Sequence, residues 1–439
     1  MITLIKNVYI LTMNANFSEY PEGYLLIEDE LIVAVGELAE LTAEIKWDQV
    51  VDGKGGILLP GMVNTHTHVG MIPFRSLGDD TPDRLRQLLF PLENSCMTKE
   101  LAYHSAKYAL AEMQLAGITT VVDMYYFEDA ILEAADEMDI RGIFGETIID
   151  FPTCDSVKPH GGLSYAKDLI PRWINHKKLT PAIAPHATNT NHPNILIEAN
   201  QLALKKQVPF TIHVAEMDYE VAFFEKEYDL TPVGFLNKLD CLGEHVIAAH
   251  CIHVTEADIQ LLKQTGTKVA HCIGANTKSA KGVAPIKAML DAGISVGLGT
   301  DGPSSGNTLD LFTQMKLVAN FHKTDLQDRS AFPAKEIVRL ATMGGAEVVG
   351  LEKEIGSLEV GKKADFMIIE TESVNMFPIF DPYAVLVYSA NASNVQSVYS
   401  DGCLLVDNKQ LVNHSLRGLK INLQQEMTAF YQRVAELTE

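Results

Sequence analysis

The sequence predicts an α/β protein: a (β/α)₈ TIM barrel with a small composite β-sandwich built from both chain ends. Three observations point there. Eight apolar runs lie at residues 57–64, 118–124, 142–149, 181–185, 209–215, 246–252, 268–273 and 294–299. Amphipathic helical stretches, such as 101–115 and 195–206, separate most of them, and buried strands alternating with helices are the signature of parallel βαβ units. Alternating, turn-punctuated segments stand before the first run and after the last. A chain of 439 residues has room for a barrel of about 250 residues and a smaller second unit.

Residues 1–56 read as short alternating strands at 2–12, 22–27 and 31–36, the N-terminal part of the sandwich. Residues 57–355 form the barrel domain on this reading. Residues 356–439 return to strand-like segments at 384–389, 395–400 and 403–406, completing the sandwich, with a last helix over about 423–437.

A hydrophobic fraction of 47% with 21% charged residues supplies ample core. The balance of 35 Lys+Arg against 57 Asp+Glu, a formal charge of −22, repels nucleic acid phosphates and anionic membranes. No nucleic acid and no membrane partner is expected; a small-molecule substrate is. Six scattered cysteines without a CxxC pair suit free thiols in a reducing compartment. The first ten residues alternate like a strand rather than a signal peptide, and no stretch approaches a membrane span, so the cytoplasm is the expected location. By base rate the expected assembly is a homodimer.

Chemistry concentrates where the apolar runs end. The first run closes on His66-Thr67-His68. Side chains two apart on a strand share a face, about 6.6–6.8 Å apart along the backbone, which lets both imidazoles reach one metal. Later runs deliver Asp123, Glu146, His186, His213 with Glu216, His250, His271 and Asp301. Any one of these reads equally as a satisfied core or loop residue, but eight runs ending this way read as a site, because barrel chemistry sits at the C-terminal strand ends. Three neutral imidazoles and a carboxylate suit a borderline metal. His66, His68, His213 and Asp301 are therefore the expected ligands of one divalent ion per chain, zinc first, with ferrous iron or manganese as alternatives.

Glu216 lies three residues past His213, so a turn must aim it inward to serve as general acid and base. His250 ends an apolar run and is read as orienting the attacking water, with Asp301 as its partner in that task. No H-x-E with Pro-Cys-x-x-Cys is present, which excludes the cytidine-deaminase type of zinc site. The fourth run, ending Ala184-Pro185-His186, offers no lysine to bridge a second metal.

These residues, in Pro60-Gly61-Met62-Val63-Asn64-Thr65-His66-Thr67-His68, Ile212–Glu216, Ala249–His253, Leu298–Gly302 and the tail motif at 356–366, resemble the amidohydrolase superfamily. Within it the chain is similar to the methylthioadenosine and S-adenosylhomocysteine deaminases and their triazine-hydrolase relatives. The resemblance implies one metal on the same four ligands, Glu216 as proton shuttle, His250 polarising the water and His186 touching the purine ring. Two positions depart from it. Where these deaminases carry a Glu-Trp pair that holds the ribose, residues 81–86 offer Asp83; where an arginine faces the homocysteine carboxylate, Glu146 stands and is expected to repel it. Arg75, Arg84 and Arg86 are candidates to compensate.

The reading is an aminohydrolase that releases ammonia from an adenosine-type thionucleoside such as methylthioadenosine, in preference to S-adenosylhomocysteine. The alternatives are hydrolysis of a free aminopurine, pterin or triazine, and a scaffold that keeps the fold without catalysis.

Overall fold

A computed structural model describes residues 1–42 and 46–438. Among the described residues the strands, in chain order, are β1 (Ile2–Leu11), β2 (Glu19–Glu28), β3 (Leu31–Glu37), β4 (Gln49–Pro60), β5 (Met62–Thr67), β6 (Ile118–Tyr125), β7 (Arg141–Ile148) and β8 (Leu179–Pro185). There follow β9 (Phe210–Val214), β10 (Val246–His250), β11 (Lys268–His271), β12 (Val296–Leu298), β13 (Phe366–Ile369), β14 (Val395–Ser400), β15 (Cys403–Asp407) and β16 (Gln410–Leu411). The chain divides into two compact units: Met1–Asn64 with Glu112–Thr120 and Asp310–Asn413, and Thr65–Ala111 with Val121–Leu309 and His414–Glu439.

The chain ends build one eight-stranded sheet in the order β16-β15-β14-β13-β4-β1-β2-β3. β1 runs parallel to β4 and antiparallel to β2, and β13 pairs antiparallel with both β4 and β14. The sheet curls over: the Ile32 N–H donates to Lys362 O at 2.8 Å, and the Ala364 N–H donates to Glu30 O at 2.8 Å. Residues on alternate positions of these strands, among them Ile5, Ile27, Leu58, Phe366 and Ile368, meet in one core, as expected of a sandwich face.

β5 to β12 form the second sheet, in sequence order. Its pairings run parallel, with β9 beside β10 and β7 beside β8 in unbroken register. β6, β7, β9 and β10 are buried at every position, which is why they read as continuous apolar runs rather than alternating ones. The last strand comes back to the first: the Asp301 N–H donates to His66 O at 3.0 Å. Gly299 permits that approach, because a Cβ there would lie 2.9 Å from Cys272 Sγ and 3.1 Å from His66 Cβ.

One expected strand is a helix. Residues 384–388 fall within the helix Pro382–Tyr388 and Ser389 caps it; the Asp381 carboxylate accepts the N–H groups of Tyr383 and Ala384 and proline opens the first turn. A short apolar run does not distinguish a buried strand from a buried helix; the Asp-Pro cap does. The C-terminal helix starts earlier than expected and comes as two, Leu416–Glu426 and Thr428–Thr438. Among the described residues no helix is long and apolar enough to cross a membrane.

Candidate active site

The C-terminal ends of β5 and β9 bring three histidines together. The rings of His66 and His68 lie 4.8 Å apart at 85°, and His213 approaches His66 with an Nε2–Nε2 distance of 3.0 Å. Each of the three offers a ring nitrogen within 4.8 Å of the others. In two of them the other nitrogen holds the ring: His68 Nδ1 donates to Met124 O at 2.5 Å, and His213 Nδ1 donates to His186 O at 2.6 Å. A carbonyl only accepts, so each Nδ1 carries the proton and, in the neutral ring, Nε2 is a bare lone pair. Burial holds His66 and His213 well below the usual histidine range, so both are neutral.

Asp301 joins through His68, with Oδ1 3.2 Å from His68 Nε2 and accepting the Gly302 N–H at 2.6 Å. Burial would lower His68, but the hydrogen bond to Asp301 and its charge outweigh it and hold the ring up at about 9. Burial likewise opposes the charge on Asp301; the hydrogen bond from His68 prevails and keeps the carboxyl well below its ordinary value. The bare Nε2 of His213, the buried neutral His66 beside it, and His68 paired with an ionised carboxylate, a pair that would release its shared proton to a cation, fit a divalent metal, whose bonds to histidine run about 2.0–2.1 Å for zinc.

The backbone is strained where the other candidates turn inward. Ala215, His250, Cys251 and Asp301 take left-handed φ values of 49°, 71°, 48° and 59°. Non-glycine residues there cost of order 1 kcal/mol or more each and cluster at functional sites. The Glu220 carboxylate holds the first of these turns, accepting the N–H groups of Ala215 and Glu216 at 3.1 and 2.9 Å and the Thr188 hydroxyl. Glu216 Oε1 then lies 3.7 Å from His250 Nε2 and 2.5 Å from Lys281 Nζ. Burial would raise Glu216, but His250 and Lys281 bring it down to about 2. His250 is 1% exposed, and its Nδ1 meets Asn276 Oδ1 at 2.8 Å, leaving Nε2 toward Glu216. His186 stacks edge-on to His213, with ring centres 4.9 Å apart, and binds Thr190 Oγ1. Burial pushes it down to about 4, so it too is neutral.

Asp83 and Glu146, two acidic residues expected to face substrate, stand in different surroundings. Asp83 sits on an exposed turn and pairs with Arg86 at 3.3 Å. Glu146 is fully buried; its Oε2 accepts the Glu128 N–H at 2.9 Å. Burial first, then the negative charge of Asp155, raises its carboxyl well above the ordinary range. Burial thus disfavours the charge on which the expected repulsion of a substrate carboxylate depends. Arg84 does not compensate, because its guanidinium is bonded to the carbonyls of Phe74, Leu77 and Ser304. Arg86 lies over the Tyr219 ring. Asp123 accepts the Val69 N–H at 2.7 Å, fixing the loop after His68. His271 ends β11 in full burial.

Sequence reasoning missed Lys281, Asn276 and Glu220. A lysine before a glycine in a loop reads as solvated, and a glutamate in a first helical turn reads as a dipole partner; only the fold shows what they touch.

A parallel barrel whose strand ends gather three histidines and two carboxylates defines a hydrolase of the metal-dependent kind. Residues 57–405 match the model of the amidohydrolase family, and the chain belongs to that family. It is 36% identical over 411 residues to the 5-methylthioadenosine/S-adenosylhomocysteine deaminase of Syntrophobacter fumaroxidans, covering 93% of this chain and 94% of that one. The deaminase 1 of the same description from Syntrophus aciditrophicus is 37% identical over 412 residues, with 93% of each chain covered. Among solved structures, a zinc-bound adenosine deaminase from Xanthomonas campestris superposes with a TM-score of 0.94 at 29% identity, over 99% of this chain and 98% of that one. The zinc complex of atrazine chlorohydrolase from Arthrobacter aurescens TC1 gives 0.89 at 25% identity, over 97% and 100%.

Proposed function

We propose that this protein is a mononuclear metal-dependent aminohydrolase of the cytoplasm, releasing ammonia from an adenosine-type thionucleoside such as methylthioadenosine. The observation that carries the reading is Glu216 held 3.7 Å from His250, at the strand ends that also gather His66, His68, His213 and Asp301. The relatives described as methylthioadenosine/S-adenosylhomocysteine deaminases support the substrate class. The domain boundaries follow: residues 57–355 as the catalytic barrel, 1–56 and 356–439 as the composite unit.

His66, His68, His213 and Asp301 are the proposed ligands of one divalent ion, zinc by analogy with the zinc-bound structures. When bound, such an ion acts as a Lewis acid and lowers the pKa of water at the site toward neutrality. His250 Nε2 orients the attacking water toward the amino-bearing ring carbon. Glu216, ionised in the free site, takes the proton released as the C–O bond forms and passes it to the adjacent ring nitrogen. Transfer of the remaining hydroxyl proton to the amino group lets it depart as ammonia while the carbon–oxygen double bond of the oxo product forms. His186, neutral and beside His213, is the proposed contact to the purine.

Burial disfavours the charge on Glu146, which weakens the reason to reject S-adenosylhomocysteine. A facing charge would be worth on the order of 1 kcal/mol, about fivefold. Glu146→Gln is therefore expected to leave the methylthioadenosine to S-adenosylhomocysteine ratio of kcat/KM within about twofold of wild type, as steady-state assays on both would read.

An ammonia-release screen over aminopurines, their nucleosides, pterins and triazines, on metal-loaded protein, tests the reading. The highest kcat/KM should fall on an adenosine-type nucleoside. Turnover confined to free bases or triazines would replace it with the other heterocycle reading, and no turnover at all would favour the scaffold.

A further inference from the structure

We propose that Lys281 is the positioning residue of Glu216, its ammonium holding the carboxylate as an anion beside His250. The inference rests on the reading of Glu216 as proton shuttle and adds the group that holds it.

Lys281 Nζ lies 2.5 Å from Glu216 Oε1, and the two side chains are only 17% and 20% exposed. An ammonium and a carboxylate withdrawn this far from water stay charged because they face each other. The backbone is bent on both sides to place the lysine: Ala280 has φ 53° and Gly282 φ 129°. The Lys281 N–H donates to Asn276 O at 2.9 Å, while the Asn276 side chain holds His250 Nδ1. Asn276, on the short helix after β11, thus holds both Lys281 and His250, the two residues that face Glu216. A surface lysine satisfied by water would require none of this.

The groups facing Glu216 set the sign of the effect. Lys281 from the loop and His250 from β10 favour the anion, while Asp301 beyond β12 opposes it. Neutral His186 and His66 stand on the barrel side, and Tyr219 lies near Lys281. The Glu220 carboxylate is turned to the backbone of Glu216. Without the ammonium, burial and Asp301 are opposed by His250 alone, so Glu216 takes up a proton at higher pH. The form able to accept a proton is then lost sooner as pH falls.

The test is the pH dependence of kcat/KM for metal-loaded Lys281→Met, Lys281→Gln and Lys281→Arg, on the nucleoside that wild type turns over best. The acid limb should rise by about one pH unit or more in both neutral variants, a loss of about tenfold in kcat/KM on that limb, with metal content unchanged. Lys281→Arg should bring the limb back. An unmoved limb in a neutral variant of normal metal content overturns the proposal. So does unfolding of both neutral variants while Lys281→Arg folds, which makes the pair structural. Glu216→Gln separates the two levels: if it retains turnover the shuttle reading fails, whereas an inactive Glu216→Gln beside an unmoved Lys281→Met limb fails this inference alone.

Discussion

His66→Ala is expected to purify with almost none of the divalent metal that wild type carries at one ion per chain. Its turnover should fall by about 10³-fold or more, since Lewis-acid stabilisation is worth several kcal/mol and each 1.36 kcal/mol is tenfold. His66 is buried at the end of β5, with its Nε2 directed at His213 Nε2 3.0 Å away. Removing it takes one nitrogen from a set whose other members are already held by Met124 O, His186 O and the Gly302 N–H. Asp301→Ala should behave alike and also leave His68 without its carboxylate. Elemental analysis on both variants and wild type checks this. Two ions per wild-type chain, or His66→Ala at full occupancy, would sink the assignment.

Glu216→Gln should keep the metal and substrate binding while kcat falls by about 10²-fold or more, the scale of lost general acid–base catalysis. Glutamine preserves the size of the side chain and its position after the Ala215 turn, but it can neither accept the proton of water nor return it. Steady-state kinetics with metal analysis separates this from a folding defect. A variant with near-normal kcat would reduce Glu216 to a partner of Lys281, and the base would have to be sought at Asp301 or His250.

The barrel was legible because its strands are buried on both faces and so appear as unbroken apolar runs, each ending in a residue that a core would not choose. The His66-Thr67-His68 spacing, and the polar ends of β9 and β10, carried the histidines to one place without any knowledge of the fold. Glu216 needed a turn, and Ala215 in the left-handed region supplies it. What sequence could not supply was partner choice. Glu146 sits at a strand end like its neighbours, yet it is bonded to the Glu128 backbone and its charge is disfavoured by burial. Asp83 lies at the position matched by resemblance, yet it pairs with Arg86 on an exposed turn. Asn276 lies on the short helix Ile273–Lys278 and Lys281 in the loop after it, a segment with no motif, and only its return toward β10 gives them a role. Residues 384–389 show the same limit for local structure, since the cap at Asp381 outweighs the apolar run that follows.

The most direct test is turnover of methylthioadenosine by metal-loaded protein in ¹⁸O-labelled water, with ammonia and nucleoside product measured together. Hydrolytic deamination predicts one ammonia per nucleoside consumed, an intact bond between base and sugar, and one labelled oxygen on the purine carbon that bore the amino group. Release of free adenine, or a product without the label, would contradict the account.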